Sequence, residues 1–310
     1  MERLSSEGAS ALLALSNDLA GAVEVAGRSV VAVHARPRTP SSGVHWRQGV
    51  IVTADHTLKR DEEIRVSLPD GGTIPAVLAG RDASTDLAVL TLQAAEFPVA
   101  DIGDAVALRV GHVVLAVARP SERGLSASWG VISVLGGPWR SWHGGQIDQF
   151  IRPDVSLYPG FSGGPLIDGR GRVMGINTPG PRNITLTIPP ATVNRVVGQL
   201  LEKGRIVRGY LGLGMQPVHL PERLKQTLNL HGTSGTIIVA VEPASPAEKA
   251  GLLIGDVLVA LDSVPVSDTA DIQALLGPER VGTAVSVSII RAGVLAERVI
   301  MIGERPQRKS

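Results

Sequence analysis

Along residues 29–204, apolar positions come in short runs separated by turn residues. The runs lie at 29–34, 49–53, 63–68, 87–92, 113–118, 130–135, 172–176 and 184–188, and Val and Ile dominate most of them. β-Branched side chains suit a pleated surface better than a crowded helical turn. Short, regularly spaced runs of this kind predict the strands of a sandwich or of barrels. Two segments read differently. At 191–203, Val193, Val196, Val197, Leu200 and Leu201 recur at three and four positions and Gly204 follows as a stop, which predicts a helix. At 9–26, Leu12, Leu13, Leu15, Leu19, Val23 and Val25 predict an amphipathic helix that caps the first domain.

From about Arg208 a second pattern begins. Strands are expected at 210–215, 235–241, 256–261 and 284–291, with helical segments at 247–250 and 269–276. The expected organisation is a helical segment at 1–28, a β-rich domain at 29–204, a second domain at 208–303 and a basic tail at 304–310. The fold class is mostly β.

Composition narrows the chemistry. Hydrophobic residues make up 44%, but there are only 3 Phe, 2 Tyr and 4 Trp, so the core must be aliphatic. Thirty basic against 29 acidic residues leave a formal charge of +1, which gives no global electrostatic case for nucleic acid or an anionic membrane. Cysteine is absent, which excludes disulfides, thiolate catalysis and Cys-based zinc sites. The seven histidines have no metal-ligand spacing, so neither a metal nor an organic cofactor is expected. Ser16-Asn17-Asp18 and Glu24 interrupt the apolar stretch at 9–26, which is too polar for a secretory leader or a membrane span. The expected location is cytoplasmic.

Pro159-Gly160-Phe161-Ser162-Gly163-Gly164-Pro165-Leu166 is the segment richest in chemistry. A serine flanked by glycines sits on a tight turn whose amides are free to converge on one point. Acyl transfer needs that arrangement, because the hydroxyl attacks a carbonyl and the oxyanion must meet preorganised donors. Those donors would be the amides of Gly160 and Ser162. The same segment also reads as a glycine-rich turn with an incidental serine. A serine hydroxyl needs a base. Of the histidines, only His56 ends a clear β run just before a polar segment. Asp86 directly precedes the apolar run at 87–92, where it reads either as a strand-start cap or as the acid that orients the imidazole. The chain order His, Asp, Ser is that of chymotrypsin-like barrels.

Taken together, the sequence resembles the HtrA/Deg family of ATP-independent serine proteases. Asp61-Glu62-Glu63-Ile64-Arg65-Val66, Thr85-Asp86-Leu87-Ala88-Val89-Leu90, the nucleophile segment, Val173-Met174-Gly175-Ile176-Asn177 and Gly209-Tyr210-Leu211-Gly212-Leu213 carry the resemblance in the family's order. It implies a chymotrypsin-like double β-barrel with a His56, Asp86, Ser162 triad, followed by a PDZ domain. It also implies a primary specificity pocket with Ser156 at its base and Leu157 on its wall. Tyr210-Leu211-Gly212-Leu213 resembles the carboxylate-binding loop of PDZ domains, so peptide C-termini are expected partners there. Relatives commonly assemble as trimers through aromatic residues near the N-terminus; the resemblance therefore implies a homotrimer, against which stands the lack of aromatics before Trp46. It departs from the family at Phe161, where Asn is usual, at Pro153-Asp154 and at 183–189. The expected function is a serine endopeptidase acting on unfolded or exposed polypeptides in protein quality control. The alternative is a catalytically impaired pseudo-protease or holdase.

Overall fold

The computed structural model describes residues 6–37, 39–93, 96–121, 124–142, 144–206, 209–230, 232–277 and 280–304. Arg305 to Ser310, the bulk of the expected basic tail, lie outside the described residues. The chain divides into two compact units, Met1–Ile206 and Val207–Ser310.

In the first unit, helix α1 (Ser6–Gly27) precedes a closed barrel of six strands. These are β1 (Val30–His34), β2 (Ser41–Arg47), β3 (Val50–Ala54), β4 (Ile64–Ser67), β5 (Thr73–Asp82) and β6 (Leu87–Thr91), in the order β1-β2-β3-β6-β5-β4. A second closed barrel uses β7 (Val113–Ser121), β8 (Gly124–Gly136), β11 (Phe150–Pro153), β12 (Pro165–Ile167), β13 (Val173–Pro179) and β14 (Thr185–Ile188). A short hairpin, β9 (Trp139–Arg140) and β10 (Gln146–Ile147), interrupts it, and α2 (Pro190–Lys203) follows.

The apolar runs have a structural cause. Strands β1, β3 and β6 are buried on both faces, so their sequences run apolar rather than alternating. Ile51 of β3 points into the first barrel with Val31, Val33, Val66 and Leu90. Its neighbours Val50 and Val52 join a second cluster with Leu87, Leu115, Val117, Ile176 and Ile188, which spans both barrels and is closed by Val193, Val196, Val197 and Leu200 of α2. In the second barrel Val114, Ala116, Ile132, Ile151 and Leu166 fill the interior. The lower half of α1 packs through Ala22 and Ala26 on the same inter-barrel cluster. Arg119 from β7 donates to the carbonyls of Gly27 (3.1 Å) and Val30 (2.8 Å), beside the orphan acceptors at the end of α1. No helix among the described residues is long and apolar enough to cross a membrane.

The second unit is built on a sheet in the order β16-β17-β18-β20-β21. Its members are β16 (Leu213–His219), β17 (Ser234–Val241), β18 (Val257–Leu261), β20 (Ala284–Arg291) and β21 (Val294–Met301), with β19 (Val264–Pro265) paired to β18. A separate pair joins β15 (Gly209–Tyr210) to β22 (Gly303–Glu304). Helices α3 (Glu222–Leu228), α4 (Pro246–Lys249) and α5 (Thr269–Leu275) complete the unit; α5 starts on a reciprocal cap between Asp268 and Asp271.

Asp256 is the buried acid of this unit. It takes two bonds from Arg291 (2.8 and 2.7 Å) and one from the Leu253 amide (2.9 Å). Burial pushes its carboxyl up, but these bonds outweigh burial and hold it below the usual carboxylate value. A depressed folded-state pKa contributes stability above the unfolded value of about 4, lost as pH falls through the folded value. Asp256→Asn is therefore expected to lower stability by on the order of 2 kcal/mol at neutral pH. The gap to the wild-type chain should close in acid, as read by denaturant unfolding at pH 7 and below pH 4.

Candidate active site

His56 sits in the single turn Asp55–Thr57 that ends β3. Thr57 closes the turn by donating its hydroxyl to the Ala54 carbonyl (2.7 Å). Arg81 braces it from β5, with bonds to the Asp55 carboxylate (2.5 Å) and to the carbonyls of Asp55 and Leu58 (both 3.2 Å). The imidazole Nδ1 lies 2.7 Å from Asp86 Oδ2, and the His56 amide donates to Asp86 Oδ1 at 2.8 Å. A carboxylate can only accept, so Nδ1 carries a proton, and in the neutral ring Nε2 then keeps its lone pair, with no described partner. The Thr178 hydroxyl also donates to Asp86 Oδ2.

Asp86 has a left-handed backbone, φ +57°, at the end of the turn between β5 and β6. Asp tolerates this region better than most residues. Asp82 builds the turn by accepting from the Ser84 amide (3.0 Å) and the Thr85 hydroxyl (2.7 Å). The β9–β10 hairpin holds it from outside, since Ser141 donates its hydroxyl to the Ser84 carbonyl.

His45 of β2, stacked on Phe97 at the first barrel, is committed elsewhere. His45 is fully buried, accepts from the Gly49 amide at Nε2 (3.1 Å) and reaches the Pro98 carbonyl with Nδ1 (3.1 Å). Those partners fix a neutral tautomer, and burial lowers its pKa.

Ser162 follows a turn in which the Phe161 amide donates to the Tyr158 carbonyl (3.0 Å). With Pro159 and Gly160 at its centre and Gly160 at φ +93°, this is a type II turn. Gly160 is required twice over, because a Cβ there would also lie 2.5 Å from Pro120 Cβ. The turn type decides which way the amide between Pro159 and Gly160 faces. The amides of Gly160 and Ser162 donate to no other described group, nor does Ser162 Oγ hydrogen-bond to one.

Fully buried Ser42 of β2 stands behind this loop. Its hydroxyl donates to the Gly160 carbonyl (2.7 Å) and accepts from the Arg119 amide (2.9 Å), while its own amide donates to the Ser162 carbonyl (3.1 Å). Among the described residues, Ser42 is the only side chain that hydrogen-bonds to 159–164. The loop also abuts β3: a Cβ on Gly163 would lie 2.7 Å from the Ala54 nitrogen. This brings the serine to the strand end that carries His56.

Phe161 turns inward. It is 2% exposed, lies among the second-barrel core residues and meets Tyr158 edge-on at 5.6 Å. Ser156 is exposed, with its carbonyl bonded by Ser128 (2.7 Å), and half-buried Leu157 packs on the barrel core. The 183–189 segment is largely regular strand: β14 pairs with β13 and β11, and Thr185 donates to the Val155 carbonyl (2.9 Å). Beside His56 and Asp86 lies a cavity of about 420 Å³ walled by Trp139, Trp142, Pro179 and Leu186. Sequence reasoning missed Ser42, Thr178 and these two tryptophans.

In the second unit, the carbonyls of Leu211 and Gly212 accept from the amides of Ala247 and Glu242 (both 2.9 Å). Their own amides donate to no described group. Gly212 has φ +80°, and a Cβ there would lie 2.2 Å from Ser245 Cβ. Tyr210 donates its hydroxyl to Glu242; Leu211 is buried and Leu213 half-buried on the core, so the open edge offers backbone rather than side chains.

Comparison with known proteins follows the same division. Residues 41–176 match the trypsin-like peptidase domain family and residues 209–300 the PDZ domain family. The solved serine endoprotease from Yersinia pestis is 31% identical, with a TM-score of 0.76 over 93% of this chain and 98% of that one. A solved HtrA-type protease, AlgW with a tripeptide, is 30% identical, with a TM-score of 0.75 over 94% of this chain and 98% of that one. The chain belongs to the HtrA-type serine proteases. A second HtrA-type structure, the protease AlgW with a decapeptide, is 28% identical with a TM-score of 0.77, covering 94% of this chain and 99% of that one. A probable periplasmic DegP-like serine endoprotease from Pseudomonas fulva is 32% identical over 290 residues, 87% of this chain. This HtrA-type chain spans 60% of that relative's length.

One expectation is corrected. DegP-like relatives from Pseudomonas, Hahella and Rhizobium are named periplasmic, so the cytoplasmic assignment does not stand. It rested on the polar interruptions at 9–26, a stretch that lies within α1 and packs through Ala22 and Ala26.

Proposed function

We propose that this HtrA-type chain hydrolyses peptide bonds of unfolded or exposed polypeptides, with Ser162 as nucleophile, His56 as base and Asp86 as the acid that orients it. What carries the reading is the pairing of a bare His56 Nε2 with two unengaged amides beside Ser162. Ser162 Oγ attacks the scissile carbonyl carbon while its proton passes to Nε2. The carbonyl oxygen becomes an oxyanion held by the amides of Gly160 and Ser162. As the C–N bond breaks, Nε2 returns the proton to the leaving amine; water then attacks the acyl-enzyme by the same route. Ser162 Oγ hydrogen-bonds to no described group, and a nucleophile–base bond of this kind tightens when substrate binds. Neutral Ser156 and apolar Leu157 favour a small or medium aliphatic side chain at the primary pocket. In the second unit, the free amides of Leu211 and Gly212 fit the carboxylate of a peptide C-terminus, which would add to the sheet as a strand.

A binding protein without turnover is not favoured. Of the two departures that suggested it, Phe161 is buried in the barrel core and the 183–189 segment carries the regular strand β14. The test is labelling with a fluorophosphonate. The wild-type chain should react at Ser162 and His56→Ala should not; a folded wild-type chain that stays unlabelled would remove the proposal.

Ser42 enters as a positioning residue for the oxyanion amides. Ser42→Ala leaves the Gly160 carbonyl without its bond and frees the turn to flip. The expected result is a fall of about 10² in kcat with KM little changed, the lower end for a lost oxyanion donor. Affinity for a peptidyl boronate should fall in step. A loss confined to thermal stability, with kcat unchanged, would make Ser42 a packing residue only.

A further inference from the structure

The carboxylate loop leads straight into β16, an edge strand with β17 on one side only. Which backbone groups face the open edge follows from the neighbours. Ile238 lies opposite Met215. Its amide donates to the Asp256 carbonyl (2.8 Å) and its carbonyl accepts from Gly255 (2.9 Å), both on the side away from β16. Met215 and Ile238 are thus a non-hydrogen-bonded pair, and the amide and carbonyl of Met215 point to the open edge. The even positions confirm the alternation. Gly212 accepts from Glu242 and Leu220 donates to Thr233 (2.9 and 3.0 Å), so both turn towards the β17 side. Leu213 and Pro217 therefore share the open edge with Met215.

Pro217 is exposed there and opposite Thr236. It has a carbonyl to offer but no N–H, and its ring Cδ stands where the donor hydrogen would be. We propose that Pro217 ends the ladder available to a bound peptide, so that this site reads the three C-terminal residues and gains little from those before them. The inference rests on the reading of 211–213 as the carboxylate loop. A peptide held there by its carboxylate and running antiparallel to β16 sets its last residue against Leu213. Its third-from-last residue then exchanges both bonds with Met215, and its fifth-from-last residue meets Pro217 with its carbonyl unpaired. The preferred ligand is a short apolar C-terminal tail, tolerant of any sequence upstream of its last three residues.

The experiment is calorimetric titration of the full chain carrying Ser162→Ala, so that no probe is cleaved. The probes are acetylated aliphatic tri- and pentapeptides that share their last three residues, each as free acid and as C-terminal amide. The free acids should bind with Kd values within about fivefold of each other, because opposite Pro217 only the one bond to its carbonyl is left to gain, and the amides should not bind. Pro217→Ala supplies the missing donor. It should tighten the pentapeptide about fivefold, the value of one net hydrogen bond, and leave the tripeptide unchanged. N-methylation of the third-from-last residue should abolish binding to either chain, and this needs no variant that folds. A pentapeptide at least tenfold tighter than the tripeptide on the chain with Pro217 intact would overturn the proposal. So would equal gains for both peptides in Pro217→Ala. Equal binding of acids and amides, or none by any probe, would instead overturn the carboxylate reading beneath it.

Discussion

Replacing Ser162 by Ala is expected to abolish peptide hydrolysis, a fall on the order of 10⁶ in kcat where a triad acts as a unit. The size of the loss follows from how the neighbouring hydroxyls are used. Thr178 gives its proton to Asp86, Ser42 to the Gly160 carbonyl, Thr53 to the Ser42 carbonyl and Thr57 to the Ala54 carbonyl. Each is committed, so none can stand in as nucleophile. The amides of Gly160 and Ser162 survive the substitution, and they are expected to leave a residual 10³–10⁴-fold advantage over water, as such sites do without their nucleophile. Cleavage of unfolded casein by the purified full chain measures the effect. A Ser162→Ala chain that cleaves at the wild-type rate would show that the nucleophile lies elsewhere. Its peptide affinity in the second unit should be unchanged, which separates loss of chemistry from loss of fold.

The strands most plainly legible in the sequence, β3 and β6 among them, are those buried on two faces. β3 and β6 send alternate residues into the barrel and into the inter-barrel cluster, so both sets are apolar and β-branched. β2 and β5 escaped because their compositions answer to close approach. A Cβ on Gly43 would lie 2.7 Å from Ile51 Cγ2, and one on Gly80 would lie 2.5 Å from the Gly204 carbonyl oxygen. Small residues at such crossings look like turn residues in a linear reading. β21 also escaped, because much of it is exposed. Helix α3 presents only Leu224 and Leu228 to a small satellite cluster, too little periodicity to register.

The same reasoning separates the legible part of the site from the rest. His56, Asp86 and Ser162 each stand where a strand ends or a glycine turn opens, positions that mark themselves in sequence. Thr178 and Ser42 lie inside strands, where a hydroxyl residue is ordinary. Only the tertiary fold shows that one faces Asp86 and the other the Gly160 carbonyl. Phe161 was ambiguous for a related reason. A residue before the nucleophile can face the groove or the core, and the turn geometry that decides between them is set by the long-range bond from Ser42.

Asp86→Asn is expected to lower kcat by about 10⁴ while the chain stays folded, as the equivalent change does in a trypsin. The backbone will hold, because Asn accepts the left-handed φ of +57° at least as readily as Asp. What changes is the proton inventory. The carboxylate accepts from the His56 amide, from His56 Nδ1 and from the Thr178 hydroxyl, and donates nothing. An amide side chain has one acceptor oxygen and one nitrogen that can only donate. If the oxygen keeps the His56 amide, the nitrogen faces Nδ1, which must shed its proton and accept. The imidazole then carries its proton on Nε2 and cannot take one from Ser162. The loss should fall on kcat, with KM within about threefold, since no group that contacts substrate has moved. Nitrogen NMR of His56 should show Nδ1 protonated in the wild-type chain and Nε2 protonated in the variant, each at a pH where the ring is neutral. Fluorophosphonate labelling should slow in proportion to kcat. A variant within tenfold of the wild-type kcat, or one whose imidazole keeps its proton on Nδ1, would mean that Asp86 does not set the tautomer and that its bonds to His56 serve the fold alone.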